Sequence, residues 1–159
     1  MKSSHLDERG QARMVDISDK QKTARVARAR AIVKMSPETA TILSGGKLPK
    51  GDAIPLARAA GVMAAKQTPH LIPLCHPIAL SSVQIDFDIQ PDTGTILIIA
   101  TASAADRTGV EMEAITAAAI AAITIYDMCK SVQKDIEITG IALMEKTGGK
   151  NGRYIREEN

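Results

Sequence analysis

Five lysines in this sequence, Lys50, Lys66, Lys130, Lys134 and Lys146, stand beside a predicted helix end or a glycine. A lone lysine at a helix C-terminus is ordinarily there for the dipole. A cluster can do more, because like charges lower one another's pKa and a lysine so perturbed exchanges a proton near neutrality. Asp127, three residues before Lys130, either completes an acid/base pair or forms a plain ion pair on one helix face. A second group lies in TPHLIPLCHPIAL at 68–80, where prolines hold His70, Cys75 and His76. Cys75 and His76 could be half of a metal site with Cys129, but adjacent ligands do not match zinc spacing and no C-x-x-C occurs. They could form a nucleophilic pair, although neighbours in an extended chain point in opposite directions. A structural role for Cys75 competes with both. The third group is the basic run Lys20, Lys22, Arg25, Arg28 and Arg30, read either as a solvated segment or as a strip for phosphates.

The elements that must position these groups follow from periodicity. Thr108–Lys134 reads as one long helix, apolar almost all round through Ala114, Ile115, Ala117, Ala118, Ile120, Ala121 and Ile123. Thr108 and Glu111 have capping-box spacing. A helix apolar on every side needs cover on every side, and its charged ends, Glu111 and Glu113 against Asp127, Lys130 and Lys134, are where a site would fit. Arg25–Met35 alternates as a strand. Ser36-Pro37 starts a short helix that ends at Gly45-Gly46, and Asp52 caps another over about 53–66. Gly-Gly-Lys at 45–47 lacks the spacing of a phosphate-binding P-loop. Three prolines make 68–80 a connector without regular structure. Ser81–Gln90 and Thr95–Ser103 alternate around Pro91-Asp92-Thr93-Gly94, a hairpin. Asp135–Met144 is a last strand, bent at Gly140. This order predicts a single α+β domain over 1–159, a ferredoxin-like sandwich with helices on one face of an antiparallel sheet. Residues 1–13 form a flexible arm and 147–159 a flexible tail. A second copy of the chain is the simplest further cover.

The totals narrow the function. The chain has 159 residues, 45% apolar and 2% aromatic, so its core is built from Ala, Ile, Leu, Val and Met. A net charge of +2 and only Phe87, Tyr126 and Tyr154 as stacking groups argue against a nucleic-acid module built on the basic run. Two cysteines suggest a reducing compartment, residues 1–13 carry no signal pattern, and the run Ala114–Ile125 is too short and interrupted for a bilayer. The expectation is a cytoplasmic protein without a membrane partner.

KGD at 50–52, ARAAGVMAAK at 57–66, LIPLCHP at 71–77, GVEMEA at 109–114, TIYDMCK at 124–130 and KTGGKNG at 146–152 together resemble the MoaC family, over about Met14 to Gly152. The resemblance implies a lyase of molybdenum cofactor biosynthesis. Its substrate would be a 3′,8-cyclised dihydro-GTP made by a radical SAM GTP cyclase. The enzyme would rebuild the imidazole portion as a pyranopterin, expel pyrophosphate and close a cyclic phosphate, with no cofactor and no metal. By position, Asp127, Lys130 and Lys50 match the catalytic residues. Leu74, Cys75, His76, Met112 and Glu113 match the substrate-contacting segments, with Glu111 beside them. Lys66, Lys146, Lys20 and Arg25 would hold the triphosphate, and His76 and Glu113 would orient base and sugar. The family assembles as a homohexamer, a trimer of dimers with sites at the dimer interface. From the residues alone, a purely structural oligomer remains open beside a phosphate-ligand enzyme, though it leaves the charges at the helix ends unexplained.

Overall fold

The computed structural model describes residues 6–7, 9–150 and 152–157. The elements run β1 (Thr23–Lys34), α1 (Pro37–Ser44), α2 (Ala53–Leu71), β2 (Leu80–Gln90), a 3₁₀ turn at Pro91–Thr93, β3 (Thr95–Asp106), α3 (Glu111–Cys129), β4 (Glu137–Thr147) and β5 (Tyr154–Ile155). The sheet order is β2-β3-β1-β4-β5, and every pairing is antiparallel. Without α1 and β5 this is the ferredoxin-like plait the element order predicted.

β1 is central, paired with β3 on one side and β4 on the other, and its alternation is strict. Ala27, Ala29, Ala31 and Val33 are buried, while Arg28 and Lys34 on the other face are exposed. Small side chains on that inner face let α3 lie close against β1, β3 and β4. α2 packs on α3 and β2. At Gly61 a Cβ would meet the carbonyl oxygen of Ala117 at 2.9 Å and also the Ile85 side chain, so only glycine admits this three-way contact. Gly140, at φ 61°, supplies the bend expected in β4, where the register against β1 is irregular.

The local signals hold where they are local. Ser36 Oγ accepts from Thr39 N at 3.2 Å, and Asp52 Oδ1 accepts from Ile54 N at 3.2 Å. Three expectations fail. α2 continues through Pro69 to Leu71, because a proline in the last turn forfeits one backbone bond and Ile72 N still closes on Thr68 O at 2.9 Å. α3 begins at Glu111 with Val110 at its N-cap and no side-chain cap, so Thr108 and Glu111 form no capping box. The Glu111 carboxylate instead takes Lys146, at 2.6 Å. α3 also ends at Cys129, which leaves Lys134 in a loop with its carbonyl accepting from Tyr126 Oη at 3.1 Å. Lys134 therefore does not share the Asp127–Lys130 edge.

β4 reaches Thr147, beyond the expected Met144, because Glu145, Lys146 and Thr147 pair with Arg28, Ala27 and Val26. Within the expected tail, β5 pairs with β4 through Lys146↔Tyr154 and Glu145↔Ile155. Within the expected arm, Leu6 bridges Ala12; residues 1–5 and 8, with 151 and 158–159, lie outside the described residues. α3 has the length and composition of a membrane span, yet half of it is buried inside this fold. Its cover is incomplete, since Ile123 is 51% exposed.

Candidate active site

The two ends of α3 carry two different groups. At the C-terminal end, Asp127 Oδ1 lies 2.6 Å from Lys130 Nζ, and Oδ2 lies 2.9 Å from Lys50 Nζ. Lys50 Nζ also donates to the Asp127 carbonyl at 2.9 Å, satisfying one of the free carbonyls of the last turn. Lys50 is aimed by its loop, held between buried Leu48 and capped α2, with Gly51 at φ 96° making the turn. Hydrogen bonds from Lys130 and Lys50 hold the Asp127 carboxyl below the usual carboxylate range. The same contact, with the carboxylate's charge, holds Lys130 above the usual lysine value. The lowered lysine that one reading of the cluster offered is therefore not found at Lys130, because the Asp127 carboxylate lies 2.6 Å from its ammonium. Lys130 is thereby held as the ammonium, with its proton bound more tightly than on a free lysine.

At the N-terminal end two cavities adjoin. The larger, of about 740 Å³, is lined by Lys20, Arg25, Arg107, Lys146 and Lys150, by Asp19 and Glu111, and by Gly148 and Gly149. Arg25 is anchored by its bonds to the carbonyls of Asp106 (3.3 Å) and Arg107 (3.4 Å). Arg107 Nε is buried with no partner among the described residues. An unpaired buried guanidinium nitrogen is costly unless an anion completes it. Sequence reading passed over Arg107, which stands in the irregular DRTG stretch with no periodic signal, and only its burial marks it. It passed over Lys150 as well.

The smaller cavity, of about 380 Å³, is lined by Val15, Ile17, Leu74, Ile78 and Met112, with Cys75, His76 and Glu113. Lys20, Thr108, Gly109 and Glu111 line both cavities, so they form one continuous cleft. His76 Nε2 donates to the Val15 carbonyl at 2.7 Å. Burial, and then the neighbouring Glu113, push the Cys75 thiol up, opposite to an activated nucleophile. Cys129 is buried at the other end of α3, its thiol pushed up to about 11, too far away to share a metal with Cys75 and His76. Among the described residues no three of His, Cys, Asp and Glu gather as a metal set.

The structure thus brings together Leu74, Cys75, His76, Met112, Glu113, Glu111, Lys146, Lys20 and Arg25 in one cleft, and Lys50, Asp127 and Lys130 in another cluster. Lys66 lines neither cavity and lies exposed on α2. The span of α3, about 27 Å at the helical rise, separates the two groups within one chain.

Glu113 is only 2% exposed, and burial, then Glu111, raise its pKa against a lowering backbone hydrogen bond. A carboxyl raised on folding binds its proton more tightly in the native state. Its contribution is fully present below the unfolded value and is lost as pH rises through the folded one. Glu113→Gln should therefore melt a few degrees above the parent at neutral pH, with the gap closing on acidification toward the ordinary carboxylate range. Thermal melts across that pH series check this, and a gap that widens on acidification contradicts it.

The MoaC family model matches residues 14–149. A cyclic pyranopterin monophosphate synthase of Geobacter metallireducens is 54% identical over 158 residues, 99% of each chain. One of Desulfitobacterium hafniense is 51% identical over 159 residues, covering 100% of this chain and 97% of that one. One of a Roseiflexus species is 49% identical over 154 residues, 97% of this chain and 98% of the relative.

Proposed function

The chain belongs to the MoaC family, and on that premise we propose how the two ends of α3 divide its reaction. The activity is that of a lyase in molybdenum cofactor biosynthesis, acting on a small-molecule substrate. It converts 3′,8-cyclo-7,8-dihydroguanosine 5′-triphosphate to cyclic pyranopterin monophosphate with release of pyrophosphate. In our reading the triphosphate lies in the larger cavity, on Lys20, Arg25, Arg107 and Lys146. The base and sugar lie in the smaller one, against the Leu74–His76 segment and Met112-Glu113. A hydroxyl of the substrate attacks the α-phosphorus, the bond to the bridging oxygen breaks, and pyrophosphate leaves with its new charge held by those cations. Lys130, as the ammonium, gives protons to the rearranging ring. Asp127 holds it there, and Lys50 is the second donor.

One observation carries this reading: a cavity lined by Lys20, Arg25, Arg107, Lys146 and Lys150 opens into an apolar one bearing a buried carboxyl. The proton-donating cluster lies too far along α3 to reach it. A complete site would therefore pair the cleft of one chain with the lysines of another, which the exposed Ile123 face of α3 supports. We take the assembly to be a homohexamer, a trimer of dimers, of single-domain chains in the cytoplasm, supplied by a radical SAM GTP cyclase. Purified protein given the cyclised triphosphate should release pyrophosphate and the pterin product in equal amounts. Substrate left intact, or pterin formed without pyrophosphate, would overturn the reading.

A further inference from the structure

Residues 15–20 belong to no strand or helix, yet they wall the site. Val15 and Ile17 line the smaller cavity, and Lys20 lines both. The segment is stiffened internally: Ser18 N and Oγ donate to Asp16 Oδ1 at 2.9 and 2.7 Å, and Lys20 N donates to Ile17 O at 3.0 Å. Among the described residues, its one hydrogen bond to the rest of the fold comes from His76 Nε2 to the Val15 carbonyl, at 2.7 Å across 61 positions of sequence. His76 itself sits in a connector stiffened by Pro73 and Pro77, so its ring is a fixed post.

We propose that His76 is a positioning residue whose ring seats the 15–20 strap and thereby carries Lys20 to the phosphates. The carbonyl partner commits Nε2 to carrying a hydrogen, so this nitrogen is not a base toward substrate. The effect of His76 on turnover then runs through Lys20 and through closure of the apolar wall. This deepens the reading of the cleft given above and rests on it for its kinetic part.

Four measurements test the proposal. His76→Phe, which keeps a ring and removes the donor, should raise KM about tenfold with kcat changed less than about threefold, on the scale of one hydrogen bond. His76→Gln, which restores an amide donor, should recover most of that KM. In a Lys20→Ala background, His76→Phe should add less than about a twofold further effect, since both act on one route. Hydrogen exchange of the free protein should show the amides of residues 17–20 opening faster in His76→Phe, with those in the middle of α3 unchanged. That last readout needs no substrate, so it stands even if the assigned reaction fails. A kcat loss at constant KM, multiplicative effects with Lys20→Ala, or unchanged exchange in the strap would each overturn the proposal. If His76→Phe does not fold, the same comparisons are made with His76→Gln and His76→Ala.

Discussion

Replacing Lys130 with alanine should lower kcat on the cyclised triphosphate by about 10²–10⁴-fold, with a much smaller change in KM. The side chain sits 2.6 Å from Asp127 Oδ1 at the end of α3, half exposed, and touches neither cavity. An exposed ion pair of this kind contributes little to folding, so the loss should come without a fall in melting temperature. Asp127 holds Lys130 in its ammonium form and is itself kept ionised by Lys130 and Lys50. Asp127 and Lys130 should therefore keep one charge state throughout the neutral range, and a pH limb of kcat there must come from a group outside that pair. Lys130→Arg keeps the charge and the contact with Asp127, but a guanidinium does not release its proton readily. It should melt where the parent and the alanine variant do, and it should not restore the rate. Steady-state assays of both variants check this, and near wild-type turnover in either removes Lys130 from proton transfer.

What the sequence disclosed was mostly what neighbours in sequence decide. Ser36-Pro37 and Asp52 start helices because a cap is a contact across two or three residues. The inner face of β1 was plain from alternation, and the plait followed from element order. The misses are contacts between distant residues. Thr108 and Glu111 have the spacing of a capping box, but Lys146, 35 positions away, claims the Glu111 carboxylate. β5 is two residues long and exists only because β4 offers an edge. Arg107 has no pattern around it and stands out only through its buried nitrogen. The charged ends of an apolar rod did mark where the cleft and the lysine cluster stand, since a buried helix leaves only its ends to face solvent or ligand. Sequence reading did not separate those halves, and it left Asp127–Lys130 open between an acid/base pair and the plain ion pair whose contact the structure holds at 2.6 Å.

That separation is the centre of the account. In the proposed site Asp127, with Lys50 and Lys130 beside it, stands about 21 Å along α3 from Glu113 at the helical rise, so neither half would work alone in a single chain. Two variants should each be inactive for a different reason. Lys130→Ala lacks the proton donor, and Lys20→Ala with Lys146→Ala lacks the phosphate hold at substrate well below KM. In a two-fold pair, a hybrid of the two places both lesions in one site and leaves the other whole. Equal amounts of the two variants, co-expressed with different tags and isolated through both, should recover about half of the wild-type rate as pairs, or about a quarter as hexamers of randomly mixed chains. Hybrids that co-purify and still turn over no faster than either parent would contradict a site shared between chains.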